Sequence, residues 1–167
     1  MFDGTLLLAD EERIRMASTG GLLLVHLRRA VEAEQMLAIH AMQEQMRERV
    51  GKHAVLVIVG EVRTELSDRT RELAKHTSTT FRDHVSCVAH VVEVRGFVGA
   101  AIRCVMAGMR MLHRPPYPIR EFASVGGAVG WMLPSLRRDA IELPIGVDAA
   151  AIEGWVAATR ADSSPPE

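Results

Sequence analysis

Two periodicities alternate along the chain. Arg13 to Ser18 alternates polar and apolar residues with period two, which predicts an edge strand with its arginines outward. Thr19-Gly20-Gly21 supplies a turn, because glycine accepts positive φ at little cost. Leu22 to Leu27 is apolar almost throughout and predicts a strand buried on both faces, folded back as a hairpin. Residues 31–50 then switch to helical spacing, with Met36, Ile39, Met42, Met46 and Val50 on one face and Glu44 and Glu48 opposite; Gly51 ends the helix. Ala54 to Val59 is short and β-branched, the signature of a central parallel strand.

The alternation continues. Ser67 is placed to cap a helix over 68–84 with Thr70, Leu73, Thr77 and Phe81 inward. Val85 to Val94 is the next strand. Gly96 opens a helix over 97–113, stopped by Pro115 and Pro116. Tyr117 to Phe122 is the last strand, and Ser124 caps a fourth helix carrying Val125, Ala128, Val129 and Met132. The order ββ-α-β-α-β-α-β-α predicts a single α/β domain with a mixed, mostly parallel sheet of about five strands and four helices. The division is an N-terminal segment (1–12), the α/β domain (13–137) and a C-terminal extension (138–167). In the extension Asp148 is placed to cap a short helix with Ile152, Trp155 and Val156 on one face, and 163–167 reads as a disordered tail.

Composition narrows the function classes. With 167 residues, 48% hydrophobic and 25% charged, the chain is globular. A net charge of −1 argues against a nucleic-acid partner. Two cysteines exclude a disulfide scaffold, and no apolar run is long enough to span a bilayer or open as a signal peptide, so a cytoplasmic protein is expected.

Chemistry is sparse. There is no GxSxG elbow, P-loop, HExxH or strand-linked GxGxxG. Gly126, Gly127 and Gly130 fall inside a helix pattern, which suits small-residue packing better than a phosphate cradle. His84, Cys87 and His90 have ligand-like spacing, but strand parity puts 87 and 90 on opposite faces, so no metal is expected. His40 and Glu44 share a helix edge without further ligands. His26 and His90 sit mid-strand and would share a pocket if their strands were adjacent. Glu93 to Phe97 lies at a strand end facing a helix start, where α/β sheets bind small ligands. No catalytic residue and no cofactor emerges.

The helix over 97–113 carries the partner-binding expectation. Projection at 100° per residue places Phe97, Val98, Ala101, Val105, Gly108, Met109 and Leu112 inward. The opposite face holds Gly99, Ala100, Arg103, Met106, Ala107 and Arg110, a smooth surface with two guanidinium groups suited to a protein partner or a second copy.

The strand Val88-Ala89-His90-Val91-Val92-Glu93, Gly96-Phe97 with Ala100, Ala101 and Arg103, then Pro116-Tyr117-Pro118, Phe122, Ser124-Val125, Ala128 and Trp131 form a run of packing motifs. Through them the chain from Val88 to Leu136 resembles STAS-like domains, the fold of bacterial anti-sigma-factor antagonists. The resemblance implies a non-enzymatic protein-interaction or regulatory domain of the bacterial cytosol. The alternatives are a small apolar ligand or lipid binder, and an enzyme of unknown type. It also implies Ser67 as a phosphorylation position, since some such domains switch on a serine in a D-S-[ST]-G turn. Here the turn reads Leu66-Ser67-Asp68-Arg69, departs from that pattern, and is explained by an N-cap alone.

Overall fold

The structure is a computed structural model, described over residues 13–29, 31–60, 66–94 and 96–161, without the side chains at 105, 109–113 and 160–161. The predicted strands form one sheet in the order β1-β2-β3-β4-β5: β1 (Ile14–Thr19), β2 (Leu22–Leu27), β3 (His53–Val59), β4 (Val85–Val92) and β5 (Ile119–Phe122). β1 pairs antiparallel with β2 as the hairpin, and β2 to β5 run parallel. β5 starts two residues later than the sequence suggests. Pro118 has no N–H to give a ladder, and its carbonyl instead accepts the Val88 N–H at 2.9 Å.

Each parallel step moves one strand in the same direction. Right-handed crossovers of that kind lay their helices on one face. That face holds α1 (Ala33–Val50), α2 (Asp68–Thr80) and α3 (Gly96–His113). Met42 and Met46 of α1, Phe81 at the end of α2 and Ile102 of α3 join Leu23, Val25, Val55 and Val88 in one core. Helix α2 stops four residues short of the predicted end, after a run of serine and threonine, where Phe81 caps it and turns inward with no exposed surface.

The other face is covered by α4 (Val125–Arg138) and α5 (Ala149–Ala161). Here Leu22, Leu24, Leu56, Ala89 and Val91 meet Ala128 and Met132 of α4 and Ile152 and Val156 of α5. The segment after 138 is therefore not an appendage. Its helix, capped by Asp148 (2.9 Å to the Ala151 N–H), supplies core side chains. The stretch before it clasps the hairpin: Gly20 has φ 52°, and a Cβ on Gly21 would stand 2.3 Å from Ile141 Cγ2. Two glycines are thus needed there, one for the turn and one for the close approach. The expected tail at 163–167 lies outside the described residues.

A bulge in β4 shapes the same face. His53 to Val55 on β3 spans two residues while Val85 to Val88 on β4 spans three. The extra residue brings Ser86 to Asp139, the C-cap of α4, with its Oγ donating to Oδ2 at 2.5 Å. Arg138 and Lys52 also reach that carboxylate, at 3.2 and 3.1 Å, and the bonds from Arg138, then Ser86, then Lys52 hold its pKa well below the usual range.

Candidate functional site: an apolar cavity on the three-helix face

The sheet is not sealed on the α1–α3 side. Val57, in the middle of the central strand, and His90, beside it in register on β4, both keep some exposure. Above them lies a cavity of about 260 Å³. That falls between the ~150 Å³ cavity known to hold benzene and the ~300 Å³ lower end of ordinary ligand sites.

Strand parity fixes the floor. Val55, Val57 and Val59 of β3, Val88 and His90 of β4, and Ile119 and Glu121 of β5 all point the same way. His90 and Glu121 are register partners, so the two ionisable floor residues stand side by side. Met36, Ile39 and Gln43 wall the cavity from α1 at i, i+3 and i+7. Thr70, Ala74, Thr77 and Ser78 line it from α2, Ile102 and Met106 from α3, and Tyr117 from the segment before β5.

Most of the polar groups on these walls are engaged. The Thr70 and Ser67 hydroxyls are 2.8 Å apart, and Ser67 accepts the Thr70 N–H at 3.1 Å as the N-cap of α2. Thr77 Oγ1 is 3.0 Å from His40 Nδ1, and His40 stacks on His76 with ring centres 5.3 Å apart. Burial, then the neighbouring His76, lower the His40 pKa. Burial raises the Tyr117 phenol, against a hydrogen bond with Ser78 that acts the other way. Gln43 differs from these: it is 6% exposed, and its Oε1 is buried without a hydrogen-bond partner among the described residues.

The structure separates residues that the sequence reading grouped. His26 and His90 do not share a pocket: β3 lies between their strands and they face opposite sides. His26 Nδ1 meets Thr159 Oγ1 of α5 at 2.6 Å, and the Thr159 hydroxyl is 2.7 Å from the Val156 carbonyl. Cys87 packs in the α4–α5 core while His90 lines the cavity, as parity requires. Cys87 and Cys104 are both free thiols; burial raises the pKa of Cys87. Among the described residues no group of three His, Cys, Asp or Glu is placed to hold a metal. Gly126 and Gly130 face open space, so they do not mediate the helix packing expected of them.

Helix α3 is rotated from its projection. Phe97 is 88% exposed and Val98 51%, although both were assigned inward. Gly99, Ile102 and Met106 face in instead, so the proposed smooth outer surface does not exist as one patch. Of its members, Ala100 and Arg103 are exposed, Ala107 is half-buried, and the Arg110 side chain lies outside the described residues, as do Val105, Met109 and Leu112. The cause is Gly99. Its missing Cβ would stand 1.8 Å from the Val94 carbonyl oxygen, so the helix closes on its own leading loop through this edge. At the strand end, Glu93 is half-buried and Phe97 points to solvent; Arg95, the cation of the expected anion site, lies outside the described residues.

Scans against protein-family models and against curated proteins return no match. No helix among the described residues is long and apolar enough to cross a membrane.

Proposed function

We propose that this domain binds a small, mostly apolar molecule in the cavity between the sheet and α1–α3, and acts as a sensor or carrier of it without chemical turnover. The cavity carries the reading: about 260 Å³ of space walled by valine, isoleucine and methionine in a sheet–helix layer that proteins ordinarily fill. Methionine suits this role, because its flexible thioether adapts to ligands of different shape. A STAS-like scaffold in the bacterial cytosol is compatible with the element order and with two free thiols.

The test is titration of the purified protein with single-ring aromatics, read by heteronuclear NMR, alongside native mass spectrometry for a retained molecule. Ala74→Phe places a ring in the void from α2 and is expected to abolish binding while the fold persists. Binding of equal strength in that variant contradicts the reading.

A protein-interaction role has its own support in the adjacent exposed side chains of Phe97 and Val98 on the first turn of α3. Pull-down with wild type and with Phe97→Asp tests it. Partners lost in the variant favour this role; an unchanged set removes its support.

A further inference from the structure

Gln43 breaks an apolar pattern. It follows Met36 and Ile39 at the spacing that faces the cavity, where a leucine or methionine would pack. A buried amide without a partner is costly, so native structures rarely leave one. Gln35, one helical face away and equally buried, shows the usual solution: its Oε1 accepts the Glu32 N–H at 3.0 Å at the start of α1. Gln43 Oε1 has no such donor among the described residues, yet lines a space large enough for a ligand.

The charges around the cavity restrict the partner further. Lys75, the one lysine among the described lining residues, is solvent-exposed. A ligand carboxylate taken in between the apolar walls would be desolvated, with no buried ammonium or guanidinium group among the described lining residues to offset the cost. A neutral hydroxyl avoids that penalty.

Building on the cavity reading above, we infer that the site selects uncharged ligands with an apolar body and one hydrogen-bond donor, of the phenol or alcohol class, and that Gln43 Oε1 accepts that donor. Gln43 is then the specificity-determining residue, and the valine and methionine walls supply shape and affinity. An apolar ligand of the same size still enters but leaves the amide unpaired.

The experiment compares p-cresol, p-xylene and p-toluate, which share one shape and differ in one group. Dissociation constants are measured by NMR titration for wild type and for Gln43→Met. The wild type is expected to bind p-cresol, and p-toluate far more weakly. The ratio of the p-cresol to the p-xylene constant should shift by roughly 5- to 100-fold in favour of p-xylene in Gln43→Met, the scale of one unpaired buried acceptor. As a measurement within the wild type, the Gln43 side-chain amide resonances should move with p-cresol and not with p-xylene. An unchanged ratio, or amide resonances indifferent to p-cresol, overturns the role of Gln43 but leaves the cavity reading standing. Equal binding of p-toluate overturns the selection for uncharged ligands. No binding of any of the three overturns the cavity reading and this inference together.

Discussion

Two glycine-to-alanine substitutions in helix α3 should have opposite signs. At Gly108 the new methyl group meets nothing within 4 Å among the described residues. Alanine there gains helix propensity and restricts the unfolded chain, so Gly108→Ala should stabilise by about 1 kcal/mol. At Gly99 the same propensity gain applies, but the methyl would stand 1.8 Å from the Val94 carbonyl oxygen. Carbon and oxygen must part by more than an ångström, and the obstacle is backbone, not a flexible side-chain end. Relief requires moving the loop after β4 or lifting the helix, which drags Ile102 out of the core, where it is 3% exposed. Overpacking of this kind costs about 1–3 kcal/mol and outweighs the propensity gain. For a chain of this length about 1 kcal/mol corresponds to ~2–4 °C in Tm. Thermal and urea unfolding should therefore move up for Gly108→Ala and down for Gly99→Ala. Shifts of the same sign would refute the stated orientation of α3, and with it the placement of Ile102 and Met106 on the cavity.

Ser67→Ala should cost about 1 kcal/mol through the lost cap of α2, while Ser67→Asp, also a good N-cap, should leave urea midpoints nearly unchanged. Asp139→Ala should destabilise by about 2 kcal/mol, because the buried Ser86 hydroxyl and two cations lose their acceptor. The folded pKa of Asp139 is depressed, so its contribution is present above the ordinary carboxylate pKa and fades as pH falls below about 4; chemical denaturation at pH 7 and pH 3 should show the Asp139→Ala deficit shrinking in acid. His53 is fully buried, and desolvation lowers its pKa against an opposing hydrogen bond to the Gly51 carbonyl, with His84 lowering it further. The unfolded chain binds its proton more readily, so stability should fall as pH drops below about 6.5, and a His53→Leu variant should show a flatter pH profile in the same assay.

The sheet was readable because runs such as Leu22 to Leu27 and Ala54 to Val59 are apolar on both faces and too short for helices. Asp148, Ile152 and Val156 likewise announced α5. Its place on the sheet was not visible, since hydropathy alone does not say which layer an amphipathic helix covers. The α3 face was misread for a physical reason. A hydrophobic projection ranks Phe97 and Val98 above Gly99, whereas close approach to Val94 depends on glycine having no side chain. The cavity was hard to see for a related reason: empty space is a property of several elements meeting, and the valines, isoleucines and methionines around it read as ordinary core. Gln43 did leave a trace, as a polar residue on the Met36–Ile39 stripe, but a stripe read only for its apolar members passes over it.

The central claim is that the space between the sheet and α1–α3 is a binding site. Intermolecular nuclear Overhauser effects between p-cresol and the methyl groups of Met36, Val57 and Met106, recorded for wild type and Ala74→Phe, test it most directly. The account predicts contacts to all three methyl groups in the wild type and none in the variant. Contacts confined to surface residues such as Phe97 and Ile145, or the same contacts in both proteins, would contradict it.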